Sequence, residues 1–228
     1  KGYLQYKDDF FNKLSFPFKK GKKILDVGCG DGTDAEVFVN EYKLDFVGTD
    51  IYLDENLKRL GYVFKKGSID KLPLKDDIFD YVYVHDVLHH IDEHGNSARK
   101  ITEALSELRR VCKRKGEIVI IEGNRYNPLF YPHMVKMKGH NHLSQSFFIT
   151  VIKSYFNKDT VQFKFFEAHS YPSHALFFFK LYEYIIKTGD LDRKVFMKTN
   201  VINDVAFMLT LFGNDFIPKI ESIDIRND

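Results

Sequence analysis

The chain predicts an α/β protein with a mostly parallel sheet flanked by helices, and three observations carry that prediction. Apolar runs of strand length alternate with helix-period segments over roughly the first half of the chain, as successive βαβ units require. The first run, Lys23-Ile24-Leu25-Asp26-Val27, leads straight into Gly28-Cys29-Gly30-Asp31-Gly32-Thr33. Alternating glycines belong where a buried strand must turn sharply into a helix and let the backbone approach a ligand. The second run, Leu44 to Gly48, is followed by an acid, Asp50.

The elements follow in order. A helix is expected near Leu4 to Leu14, covering the ligand side of the sheet, and strands near residues 23, 44, 62, 79 and 116. The helix after the glycine loop runs from Thr33 to about Tyr42 and points unpaired amides at whatever lies above the first strand. A short helix starts near Leu53, with Asp50 either capping it or reaching a ligand. Ser97 to Lys113 carries Ile101, Leu105, Leu108 and Val111 as one helical stripe. Gly116 to Glu122 is the next buried strand, with Glu122 at its carboxyl end, where open α/β sheets place ligands. Ser144 caps a helix reaching Phe156, Thr160 to Ala168 reads as a strand, and Ser173 to Lys187 as an aromatic helix packed on the sheet. Residues 200–220 can supply a last strand. The domain reading is therefore 1–198 as one domain and 199–228 as a C-terminal segment.

Composition narrows the function classes. The 228 residues support one sizeable core, and 34 basic against 32 acidic residues give a formal charge of +2, short of the basic excess that argues for nucleic acid on charge alone. Lys19, Lys20, Lys22 and Lys23 make at most a local patch. Two cysteines, Cys29 and Cys112, form no disulfide framework, so a reducing, cytoplasmic setting is expected. No apolar stretch approaches the ~18 residues of a membrane span, and Lys1 begins no signal-peptide pattern. The missing initiator methionine suggests a fragment or a trimmed chain.

Glycine spacing separates two nucleotide-type ligands. Dinucleotide sites carry G-x-G-x-x-G, whereas this loop reads G-x-G-x-G with Asp26 two residues ahead, which disfavours a nicotinamide cofactor. The pattern resembles motif I of the class I S-adenosylmethionine-dependent methyltransferases. Tyr62 to Gly67, then Ser68-Ile69-Asp70, Leu72-Pro73-Leu74 and Asp80 to Val84, is similar to that family's strand, adenine-binding turn, "LP" segment and central strand. His85-Asp86-Val87-Leu88-His89-His90 resembles the "VLHH" segment of its type 11 branch, and Glu122 to Pro128 the loop after its next strand.

The resemblance implies a Rossmann-like fold with a mostly parallel seven-stranded sheet and S-adenosyl-L-methionine as cofactor. It places Asp26, Gly28, Cys29, Gly30, Gly32, Asp50 and Ile51 around the donor, with Asp50 on the ribose and His85 and Asp86 at the methionine end. The family's usual adenine acid is replaced by Ser68, so recognition falls either to Asp70 or to Ile69 and its backbone. His90 is implied near the methyl. Tyr126, His140 and His142, in a loop that also holds Arg125 and His133, are acceptor-side candidates for positioning or proton transfer. His85, His89 and His90 could suggest a metal, but without a carboxylate placed as in H-E-x-x-H none is expected.

The expected activity is methyl transfer to a small molecule. The tail, with Gly213-Asn214-Asp215-Phe216, is similar to the GNDF motif of 5′-to-3′ exoribonucleases, which motivates the alternative of an RNA-binding or scaffold module in a larger RNA-processing protein. RNA is accordingly a second candidate partner.

Overall fold

The computed structural model describes residues 2–92, 97–125, 139 and 142–166. It divides into two units, Pro17–Val161 and Lys1–Phe16 with Gln162–Asp228.

In the larger unit β1 (Lys23–Val27), β2 (Asp45–Asp50), β3 (Val63–Lys66), β4 (Phe79–His85) and β5 (Cys112–Ile121) form one sheet in the order β3-β2-β1-β4-β5. Every pairing is parallel. The chain winds outward from β1 through β2 to β3, then returns to lay β4 on the other side of β1. That reversal opens a crevice at the carboxyl ends of β1 and β4, the place where open parallel sheets bind ligands.

The strands form because their apolar runs are buried. Ile24, Leu25 and Val27 of β1 and Val82, Tyr83 and Val84 of β4 are all buried, as central parallel strands covered on both faces must be. Helix α2 (Thr33–Asn40) sends Phe38 into an aromatic cluster, edge-on to Tyr83 at 4.9 Å and to Phe18 at 5.4 Å. Ser97 caps α3 (Ala98–Val111) by accepting from the Lys100 amide at 3.3 Å, and the helix buries the stripe Ile101, Leu105, Leu108 and Val111. Arg110 on α3 donates to the carbonyls of Leu72 and Leu74, at 3.0 and 2.8 Å, and so pins the Leu72-Pro73-Leu74 segment. Ser144 likewise caps α4 (Gln145–Tyr155) through the Phe147 amide.

Five of the seven expected strands form among the described residues, and three expectations need correction. The segment after Leu53 is a 3₁₀ helix, Glu55–Leu60, and Asp54 rather than Asp50 caps it, accepting from the Asn56 amide at 2.7 Å. Strand β5 starts at Cys112, before Gly116, because a register shift between Phe79 and Tyr81 absorbs the extra residues. Residues 160–166 form no strand. Their aromatics are satisfied by packing instead: in the smaller unit Phe166 lies 5.7 Å from Phe10 of α1 (Gly2–Leu14), and Lys164 Nζ donates to the Leu14 carbonyl. The expected helix at 173–187, the last strand at 200–220 and the 198/199 boundary fall outside the described residues. Among the described residues no helix is long and apolar enough to cross a membrane.

One carboxylate staples the amino ends of three strands. Asp80 accepts from the Lys23 amide at 3.0 Å, Lys22 Nζ at 3.2 Å and Lys113 Nζ at 3.0 Å. Burial raises its carboxyl, but these donors outweigh burial and hold it down to about 2. A carboxyl depressed on folding stabilises the fold fully above its ordinary value of 3.8, and that contribution disappears as pH falls towards 2. Asp80→Asn is expected to cost about 2 kcal/mol in urea unfolding at pH 7 and almost nothing at pH 2. An equal cost at both pH values would contradict the staple.

Candidate functional site

The glycine loop is held from below and bare above. The amides of Gly28 and Cys29 both donate to the Thr49 carbonyl, at 2.7 and 3.0 Å, tying the loop to β2. Gly28 has φ of 76°, and a Cβ there would run into the Val87 side chain, so the loop touches the segment after β4 through backbone alone. Gly30, with φ of 51°, has no atom within 4 Å of where its Cβ would stand. Its backbone therefore borders open space at the mouth of the crevice.

Asp50 completes this edge. Its carboxylate accepts from the Gly30 amide at 2.9 Å and, through the other oxygen, from the Tyr52 amide at 2.9 Å. Each oxygen retains a further lone pair. Directly after it Ile51 and Tyr52 are 51% and 78% exposed, apolar surface beside the carboxylate. The Gly67 amide donates to the Asp50 carbonyl at 2.9 Å and brings the Ser68-Ile69-Asp70 turn to the same strand end. Ile69 is buried in that turn and Asp70 is exposed.

Asp26 and Cys29 lie beneath the surface. Asp26, 2% exposed, sits in β1 in register with Gly48 and Tyr83. Burial, then the charges of Asp26 and Asp50, push the Cys29 thiol far above its ordinary value, so it is a protonated packing group rather than a nucleophile.

On the β4 side the chain turns at Asp86, whose φ of 55° is left-handed, a conformation that aspartate tolerates better than most residues. Its carboxylate accepts from the Gly123 amide at 2.8 Å, and its own amide donates to the Ile121 carbonyl. His85 Nδ1 lies 3.3 Å from Asp34 Oδ2 and 3.2 Å from the Tyr83 hydroxyl. The Tyr83 hydroxyl donates to the same Asp34 oxygen at 3.2 Å. Burial and the Asp34 charge push the Tyr83 phenol well above its ordinary value, so it stays a donor.

A second carboxylate organises the histidines. Glu122, its side chain 3% exposed, accepts from the amides of Val87 and Leu88 at 3.0 and 2.6 Å, and its other oxygen meets His89 Nδ1 at 2.8 Å. Burial raises the Glu122 carboxyl against the opposing pull of His89. The His89 ring packs at a tilt against His90, with centroids 4.0 Å apart, and against His142, at 3.8 Å. His89 and His142 are buried, and His90 is exposed on the 3₁₀ helix Leu88–Asp92.

The carboxyl edge of the sheet thus collects Gly28, Gly30, Gly32, Asp50, His85 and Asp86, with His90 just beyond β4. Tyr126 and His140 fall outside the described residues. Two participants escape sequence reasoning. Asp34 follows the glycine loop on the first turn of α2, and Tyr83 looks like one more apolar strand residue. Glu122 is expected at the ligand end of its strand, but its pairing with His89 is not. One signal was available: Tyr83 and His85 are two apart in a strand and share a face.

Residues 25–120 match the model of the Methyltransf_11 family, described as a methyltransferase domain. The match takes in the glycine loop, Asp50 and the whole of β4, and covers less than half of the chain. The chain is 34% identical over 130 residues to an uncharacterized methyltransferase of Schizosaccharomyces pombe, covering 50% of this chain and 44% of that protein. It is 32% identical over 116 residues to a sterol 24-C-methyltransferase of Gibberella zeae, covering 46% and 28%. The matches thus span less than half the length of these relatives. A stretch of 43 residues is 44% identical to an Acanthamoeba polyphaga mimivirus protein named as a 5′-3′ exonuclease, covering 19% of this chain and 7% of that protein. Among solved structures, a Haemonchus contortus phosphoethanolamine N-methyltransferase in complex with S-adenosyl-L-methionine superposes with a TM-score of 0.51 at 17% identity, covering 97% of this chain and 49% of that one. At that identity the likeness speaks to the fold alone.

The contact between Gly28 and Val87 joins the two halves of the crevice. Gly28→Ala is expected to destabilise the domain by about 2–3 kcal/mol, combining a left-handed alanine with the collision. Adding Val87→Ala should remove only the collision and leave about 1–2 kcal/mol from the backbone. Chemical denaturation of the two variants checks this, and a fully neutral Gly28→Ala would contradict it.

Proposed function

We propose that the domain binds S-adenosyl-L-methionine at the carboxyl ends of β1 and β2 and transfers its methyl group to a small-molecule acceptor. The observation that carries the reading is the Asp50 carboxylate held beside the bare Gly30 backbone, with exposed apolar residues directly after it. A carboxylate with spare lone pairs suits a ribose diol, and Ile51 with Ile69 suits the flat face of an adenine. Ser68 and Asp70 are then the polar groups of the turn that can meet the adenine edge.

The residues present fit the donor on charge as well. Asp34 and Asp86 flank His85 at the end of β4, so the methionine end of the site is acidic, as a sulfonium and an ammonium require. When bound, S-adenosyl-L-methionine supplies an already activated methyl group. What remains for the chain is alignment and the exclusion of water. The hydrogen-bonded set of Asp34, Tyr83 and His85 fixes the imidazole against the wall of the crevice. Asp86, bonded to the Gly123 amide, sets the turn that carries His90. We assign His90 to the acceptor side, with His142, Tyr126 and His140, and a proton transfer is asked of them only where the acceptor must lose one.

The sterol methyltransferase relative supports a small-molecule acceptor. The short match to an exonuclease-named protein favours a second reading, a methyltransferase module within a larger RNA-processing protein. Radiolabelled methyl transfer into fractionated lysate separates the two by the pool that becomes labelled.

Calorimetry tests the donor site. The wild-type chain is expected to bind S-adenosyl-L-methionine in the micromolar range, Asp50→Ala to weaken binding roughly 10- to 100-fold through lost charged hydrogen bonds, and Gly30→Val to abolish it. Wild-type binding of nicotinamide dinucleotides in place of S-adenosyl-L-methionine would overturn the reading.

A further inference from the structure

Beside the donor site the fold gathers a second constellation, which shares Asp86 and His142 with the proposed reaction and adds His89 and Glu122. Asp86 comes from the turn after β4, His89 from the 3₁₀ helix, Glu122 from the end of β5 and His142 from the stretch leading into α4. One ligand-type atom from each lies within 4.8 Å of the others. We propose that Asp86, His89, Glu122 and His142 form a binding site for a divalent first-row transition ion, of which zinc is the simplest case.

The donor chemistry agrees with this assignment. Two carboxylates and two imidazoles offer oxygen and nitrogen together, and this mixed set suits zinc and its neighbours better than calcium or magnesium. Distances agree as well. Ligand atoms around tetrahedral zinc stand roughly 3.3 Å apart, so the cluster needs to contract by about 1.5 Å at its widest, within the reach of small side-chain rotations.

Burial sorts the roles. His89, His142 and the Glu122 side chain are almost wholly removed from water, while Asp86 is half-exposed and leaves an entry path. Glu122 meets His89 Nδ1 at 2.8 Å, so the two groups that would share the ion already face each other. The His89–Glu122 pair alone would need neither Asp86 nor His142 at its side. An ion would join all four in one set of bonds. The local histidine spacing offers no carboxylate for such a site, because Glu122 and His142 arrive from far along the chain.

The test uses the full chain without a histidine tag, freed of metal with a chelator. Zinc is followed by calorimetry and cobalt by its visible absorption. One ion per chain is expected, with cobalt bands of a low-coordinate site. Asp86→Asn and His142→Ala should each weaken zinc affinity at least ~10-fold. Asp86 is half-exposed, so its variant keeps the test open should the buried one fail to fold. Absence of stoichiometric binding by the wild type, or unchanged affinity in Asp86→Asn, would overturn the proposal. Neither readout depends on S-adenosyl-L-methionine, so its outcome is independent of the donor-site reading.

Discussion

The structure depends on the bare backbone of Gly28 lying against Val87. β1 and β4 are neighbours in the sheet, but the chain leaves them in different directions, one into α2 and the other into the histidine turn. Both exits must share the same strand ends. A side chain at Gly28 would force them apart, and with them the two halves of the crevice. The Thr49 carbonyl, accepting from the amides of Gly28 and Cys29, fixes the same loop to β2. One short stretch without side chains thereby sets the positions of Asp50 on one side and His85 and Asp86 on the other.

The two sides then rely on buried or half-buried carboxylates, each with its hydrogen bonds supplied locally. Asp50 takes two amides, Glu122 two amides and an imidazole, and Asp34 a phenol and an imidazole. Taking a carboxylate out of water is costly unless its oxygens find donors, and here the backbone of the turns provides most of them. The same bonds hold the turns in shape. If Asp50 holds the donor as proposed, recognition and folding use the same contacts there. At the far edge of the sheet Asp80 does comparable work with no connection to a ligand.

Most of the fold was legible because it is local. Strand positions follow from apolar runs, α3 and α4 from their serine caps and stripes, and the ligand side from the glycine loop. Residues 160–166 misled because alternating aromatics fit ring packing as well as a strand. Asp50 could be read either as a cap or as a ligand group, and Asp54 settles the first by capping the 3₁₀ helix itself. What the sequence hid was three-dimensional. Tyr83 carries its hydroxyl within a strand that otherwise reads as core, and Asp34 is one acid among several near a helix start. Glu122 meets His89 across 33 residues of chain, and His142 reaches the same place from beyond Arg125. No spacing rule connects such positions, because the parallel pairing of β4 with β1 and with β5 brings them together.

The central claim is that Asp50 and the Gly30 backbone hold the nucleoside end of a methyl donor. A crystal structure of the chain grown with S-adenosylhomocysteine tests it most directly. The account predicts both ribose hydroxyls within hydrogen-bond distance of the Asp50 carboxylate, the adenine against Ile51 and Ile69, and the homocysteine end towards His85 and Asp86. A ligand bound elsewhere, or a ribose that leaves Asp50 uncontacted, would contradict it.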